Sequence, residues 1–339
     1  MARRQLPARL AMAQALLPES YPRLIELAAD RALVTAAELM SRHCGRALAL
    51  DIAPKPLDFA RRHLALLLPG GAYRCRLSDG LDYLRTSRAQ EEGEGGLADG
   101  DQLLLMGLGG LEAHDILLRA LPLWQDFCLR EGASGQLTLL LQVQKHPQIP
   151  RLLLRSLGFR QQACCWLEQR QAQISKYYCL ESYRLSVPEA RQGQEAIRSA
   201  LEAWRRDERA GQLTELSGPG ALGQYYQACW DLPQTRPSSG GLGAIFLEPS
   251  SAPHLQELAR RFKLGLVELF LPQPFLDSER PFPRLGDPGQ YQTEQGACYR
   301  RFLQQEKRRW TRLLASAAQI PILGPLNAES LEILFAALD

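Results

Sequence analysis

The sequence predicts an α/β fold: a mostly parallel sheet with its last strand antiparallel, helices on both faces, and a C-terminal α-rich appendage. Three observations predict it. Short apolar runs alternate with helix-period segments through the first 157 residues. The runs end at acids, an Asp-Gly pair, a glycine cluster or a glutamine. Two further strand-like runs then come with no helix between them, as a closing hairpin requires. Strand–helix alternation implies parallel crossovers and a sheet covered on both sides.

Arg23 to Leu27 is a first strand, and Leu33 to His43 a helix. Arg46 to Asp51 is a second strand that ends in an acid. Pro56 to Leu68 is helical, with Leu57, Ala60, Leu64 and Leu67 or Leu68 on one face. Tyr73 to Leu77 is a third strand, ending near Asp79-Gly80. Ser87 to Gly100, rich in Glu and Gly, reads as a surface loop. Gln102 to Met106 is a fourth strand, stopped by Gly107-Leu108-Gly109-Gly110, and Leu111 to Leu129 is one helix. Gln136 to Gln142 is a fifth strand. Pro147 to Leu157 is a helix with Gly158 as its stop. Cys164 to Glu168 and Lys176 to Tyr183 form the final pair. After Pro188 the pattern changes: a charged helix over Glu189 to Gly211, a Pro/Ser/Gly linker over Leu232 to Gly243, and a strongly basic helix over Tyr299 to Ala318. The expected division is a sheet domain over 1–186 and a mixed, mainly helical extension over 187–339.

Apolar residues make up 45% and charged residues 23%, a soluble globular balance, with no 18-residue apolar run to span a membrane. Met1 to Leu10 carries Arg3, Arg4 and Arg9, and the next stretch is interrupted by Pro18, Glu19 and Pro22, so no secretory leader is expected. The eight cysteines contain no C-x-x-C pair, which points to buried reduced thiols in a cytoplasmic protein and to no metal site. The net charge of +3 does not by itself call for nucleic acid, but Arg300, Arg301, Lys307, Arg308, Arg309 and Arg312 crowd one segment.

In such a sheet, ligands bind beyond the carboxyl ends of the strands. Those ends carry Glu26 to Arg31, Asp51, Asp79, Met106 to Gly110 and Gln142 to Gln144. Asp51 lies 24 residues past Leu27, near the ~20-residue spacing of an acid that accepts ribose hydroxyls. Asp79-Gly80 is placed to meet an adenine edge. Each has an ordinary alternative: Asp51 as a helix cap or turn former, Asp79-Gly80 as a turn, the glycine cluster as a strand-to-helix turn.

The segments L-P-A-R-L-A-M-A-Q-A-L-L-P, L-I-E-L-A-A-D-R-A, A-L-A-L-D-I, R-L-S-D-G-L, L-L-L-M-G-L-G-G and L-L-L-Q-V-Q occur in that order over about Leu6 to Tyr183. In this they resemble the bacterial tRNA (adenine-22-N1)-methyltransferase family. The resemblance implies a Rossmann-like class I methyltransferase domain that uses S-adenosylmethionine, with tRNA as partner. It places Glu26 and Asp30 at the two acids of the D-I-G-x-D-H-A motif, Asp51 at the ribose acid and Asp79 at the adenine-side acid. Gly107, Gly109 and Gly110 match the A-G-M-G-G loop, Gln142 the glutamine of Q-P-N, and Arg9-Leu10 a leading R-L pair. The implied cofactor set is Glu26, Ala28, Asp51, Ile52, Asp79, Gly80, Met106, Gly107 and Gly109, with Asp30 and Gln142 catalytic. Asp30 would orient the target base or accept its proton; its alternative is to cap the helix at Leu33.

Departures from the pattern are Ala28 for glycine, Arg31 for histidine and Val143-Gln144 for Pro-Asn. A Cβ at position 28 opposes a close backbone approach and a positive φ. Two functions stay open: an RNA methyltransferase acting on N1 of adenine in tRNA, and a catalytically decayed methyltransferase-like domain that binds RNA or a protein. A nicotinamide oxidoreductase fits less well, because no G-x-G-x-x-G comes after the first strand. Five isolated histidines give a metal hydrolase no support.

Overall fold

Strands β1 (Tyr21–Leu27), β2 (Cys44–Asp51), β3 (Tyr73–Leu77), β4 (Gln102–Leu108), β5 (Thr138–Val143), β6 (Phe159–Gln171) and β7 (Ile174–Leu185) form one seven-stranded sheet. Its order is β3-β2-β1-β4-β5-β7-β6. β1 to β5 pair in parallel, and β7 runs antiparallel to both neighbours, as the closing hairpin requires. The computed structural model describes residues 6–131, 135–144, 147, 150, 151, 153, 154, 157–171, 174–185, 187 and 288–317. Most of the 187–339 extension, including the expected helix over 189–211 and the linker over 232–243, lies outside the described residues.

The leucine-rich strands are largely apolar because both of their faces are buried. Alternate residues enter two different cores. Leu24, Ala47, Leu104 and Leu140 pack against α1 (Ala8–Leu16) and α2 (Leu33–Met40). Ile25, Leu48, Leu103, Leu105, Leu139 and Leu141 face the opposite core, with α5 (Gly110–Arg119) and α6 (Leu121–Glu131). α3 (Pro54–Leu67) buries Leu57, Ala60 and Leu64, as its 3.6-residue spacing predicts.

Two readings are corrected. The expected single helix over Leu111 to Leu129 is two helices, broken at Ala120. Pro122 explains the break, since its ring would clash with the Leu118 carbonyl of a continuous helix. The expected surface loop over Ser87 to Gly100 contains α4 (Ser87–Glu91) and is tied to the core. Arg23, 1% exposed, donates to the carbonyls of Glu94 at 3.0 Å and Gly96 at 2.8 Å, and binds both oxygens of buried Asp101. An arginine inside an apolar strand needs such partners, because an unpaired buried charge is prohibitive.

α7 (Pro288–Ala317) starts well before the expected Tyr299 and docks on the β6–β7 hairpin. Trp166 stacks on Phe302 with ring centres 4.2 Å apart, and Arg301 reaches Glu168 at 2.8 Å. The Gln295 amide accepts from the Trp166 N–H at 2.5 Å and donates to the Trp166 carbonyl at 3.0 Å. It thereby satisfies backbone groups on the sheet's edge strand.

Candidate functional site

The registers bring the strand-end residues into one row. Asp51 pairs with Leu77, Leu27 with Leu50 and Leu105, and Met106 with Gln142. One step past Leu27, Ala28 is therefore level with Asp51 and Met106. Asp51, Ala28, Met106 and Gln142 thus succeed one another across the carboxyl edge, with Asp79 just beyond β3. The row from β3 to β5 spans four strand spacings, about 19 Å. It crosses the β1/β4 junction, where the strand order reverses and where ligands of such sheets lie.

Glu26 does not face the open edge. Its buried carboxylate accepts from the Thr35 N–H at 3.1 Å and the Thr35 hydroxyl at 2.6 Å. Burial pushes its pKa up to about 7, against the lowering effect of the Thr35 hydrogen bonds. In this way β1 caps α2 from a distance. The helix needs it, because its N-cap residue Ala32 has φ 49° and offers no capping side chain.

Ala28 and Asp30 are also left-handed, at φ 51° and 45°. Ala28 thus takes the backbone conformation a glycine would take, with its Cβ retained. Asp30 is exposed and makes no cap for α2, which removes its ordinary alternative. Its N–H donates to Asp51 Oδ2 at 3.2 Å, while Asp51 Oδ1 accepts from the Ala53 N–H at 2.8 Å. Asp51 therefore fastens two loops together, and each oxygen retains a lone-pair site. Beside it Ile52 is 64% exposed, an apolar face at the rim.

Asp79 closes a turn in which its carbonyl accepts from Asp82, and Gly80 takes φ 58°. The Asp79 carboxylate accepts from Arg119 at 2.7 Å, and the same guanidinium holds Asp82 at 2.9 Å and Asp115 at 3.0 Å. The sequence reading missed Arg119; its i, i+4 spacing from Asp115 was the available signal.

Gly107 sits at a β-bulge with φ 85°, where an added Cβ would meet nothing within 4 Å; it is needed for its backbone angle alone. Gly109 is the N-cap residue of α5, its N–H donating to Glu112 Oε2 at 2.6 Å. Met106 is partly buried against the α1-side core. Gln142 is 1% exposed; Oε1 accepts from Arg9 at 3.2 Å, and Nε2 has no partner among the described residues. An idle buried amide costs about 1–3 kcal/mol, so it marks a position that packing alone does not account for. A cavity of about 550 Å³ reaches this strand end, lined by Gln142, Gln144, Lys176, Tyr178 and Phe302 among others.

The cysteines among the described residues form no disulfide, and all but Cys179 are buried. Cys164, Cys179 and Glu181 place three ligand atoms within 4.8 Å of one another. Arg151 occupies both Glu181 oxygens at 2.9 Å, and Gln161 donates to the same carboxylate at 2.7 Å, so that carboxylate is already engaged. No helix among the described residues is long and apolar enough to cross a membrane.

The strand order and the lone antiparallel strand define a Rossmann-like α/β fold with the methyltransferase strand arrangement. No family model matches the chain, and no curated protein matches it. Among solved structures, an uncharacterized protein from Listeria monocytogenes serotype 4b is 12% identical, over 98% of this chain and 97% of its own, with a TM-score of 0.53. That likeness shows the fold. A putative tRNA (m1A22) methyltransferase of Streptococcus pneumoniae is 19% identical, over 67% of this chain and 99% of its own, with a TM-score of 0.42. The tRNA m1A22 methyltransferase of B. subtilis is 16% identical, over 77% and 97%, with a TM-score of 0.41.

Proposed function

We propose that this chain is an S-adenosylmethionine-dependent RNA methyltransferase that methylates N1 of adenine in tRNA. The observation that carries the reading is the row at the carboxyl edge, where Asp51, Ala28, Met106 and Gln142 lie level across four strands. The order of motifs shared with the tRNA (adenine-22-N1)-methyltransferases supports the choice of substrate.

The residues fit the cofactor. Asp51 keeps free lone pairs for a ribose diol, Ile52 offers an apolar face for a purine, and Gly107 opens the backbone beside Met106. Asp79-Gly80 would border the adenine, with the Ala28 and Gly109 backbone along the remainder, and Glu26 would hold the first loop in shape. When bound, the cofactor supplies an activated methyl group, so the work left to the chain is mainly positioning. Gln142 would hold the base. Asp30, free of any capping duty, would orient it or accept its proton. The sheet domain over 1–186 would carry this chemistry, and the extension over 187–339, with basic α7, would hold the RNA.

The retained Cβ of Ala28 favours the second reading, a decayed domain that binds RNA or a protein. Calorimetric titration with S-adenosylmethionine separates the two. The expected result is saturable binding, weakened tenfold or more by Asp51→Ala, and formation of 1-methyladenosine in unfractionated tRNA. No heat, together with no thermal stabilisation at millimolar cofactor, leaves only the second reading.

A further inference from the structure

Gln142 has a polarity that the sequence does not display. The two ends of an amide are nearly alike in shape, and only their partners distinguish them. Arg9 has donors and no acceptor, so it can engage only the oxygen end. Its Nη1 donates to Gln142 Oε1 at 3.2 Å. The same guanidinium lies 5.7 Å from the ring centre of Tyr178 on β7, which restrains it from a second side. The amide is thereby held with Nε2 as an unused donor, buried and without a partner among the described residues. Oε1 keeps its second lone pair.

A donor beside an acceptor is the complement of the adenine N7/N6 edge, the pairing that glutamine makes with adenine. Guanine offers two acceptors on the same edge, N7 and O6, and cannot match it. Binding by that edge also leaves N1 open to a methyl group. We infer that Gln142 is the specificity-determining residue that selects adenine by its N6/N7 edge, and that Arg9 is the positioning residue that fixes its orientation. The inference rests on the adenine-methylating reading above and adds how the base is chosen. The cavity that reaches Gln142, Tyr178 and Lys176 is the route by which a base extruded from RNA would arrive.

The test compares two tRNA transcripts, one with adenosine and one with 7-deaza-adenosine, which lacks the N7 acceptor but keeps N1 and the N6 amine. The wild-type chain is expected to lose about tenfold in kcat/KM on the 7-deaza transcript. Arg9→Met frees the amide to flip, so this ratio is expected to fall towards one. Arg9→Lys, another donor-only side chain, is expected to keep most of it. If Arg9→Met slows both transcripts equally and the ratio persists, Arg9 is only a packing residue and the positioning role is overturned. If the wild-type chain methylates both transcripts equally, the adenine-edge assignment fails while the methyltransferase reading stands. If it methylates neither, that reading fails and takes the inference with it.

Discussion

Glu26 is the carboxylate around which the first loop is built. Residues 28, 30 and 32 are all left-handed without being glycine, at a cost of about 1 kcal/mol or more each. The Glu26–Thr35 hydrogen bonds help to hold that strained path. The same burial makes Glu26 a pH-dependent element. Its folded pKa of about 7 lies above the ordinary 4.5, so the folded state keeps a proton that the unfolded chain gives up. This contribution to stability is complete below about pH 4.5 and declines as pH rises to about 7, by about 3 kcal/mol. Urea unfolding of the wild-type chain and Glu26→Gln at intervals from pH 4.5 to 7.5 should show the stability difference shifting in favour of the variant as pH rises. A difference independent of pH would mean that Glu26 is ionised throughout. Asp30 illustrates what single residues disclose: its two readings, cap or reactive acid, were equally open in the sequence, and only the geometry of α2 removed one.

Individual elements were legible where apolar period and stop residues agreed. β3 ends where Asp79-Gly80 predicted, and Gly158, at φ 84°, stands where a helix stop was expected. The segment over 87–100 was misread because its glutamates look solvated. The signal that one of them is buried lies 71 residues away, in Arg23. In α7 the expected basic helix is found with an earlier start, and Gln295, Phe302 and Arg301 bind it to β6 and its hairpin partner. Removing the Gln295 amide leaves a buried N–H and C=O of the edge strand unsatisfied, at about 2 kcal/mol or more. Gln295→Ala should therefore strip hydrogen-exchange protection from the Trp166 amide while the amides of β1 and β4 stay protected. Retained protection at Trp166 would mean that water or another group serves the edge equally well.

Across the whole molecule, the sheet's carboxyl edge carries the candidate site; α7 brings Phe302, Gln305 and Glu306 beside the strand end that Gln142 occupies, and it exposes Arg300, Arg301 and Arg308. Under the proposed function this predicts salt-linked RNA binding in which Arg300, exposed on α7, contributes. Arg300→Gln should lower the slope of log affinity against log salt concentration by about one, without sequence preference. An unchanged slope would place the phosphate path elsewhere. The sequence alone determined the alternation of strands and helices, because strands buried on both faces read as nearly continuous apolar runs and turns favour glycine or acid at their ends. It also named the strand-end residues. Only the tertiary structure decided which of them share a row, which are tied up by Thr35 or Arg119, and which amide is left with an idle nitrogen. Those facts depend on register and on partners 9 to 133 residues apart, and no local pattern of side chains encodes a pairing that exists only once the strands align.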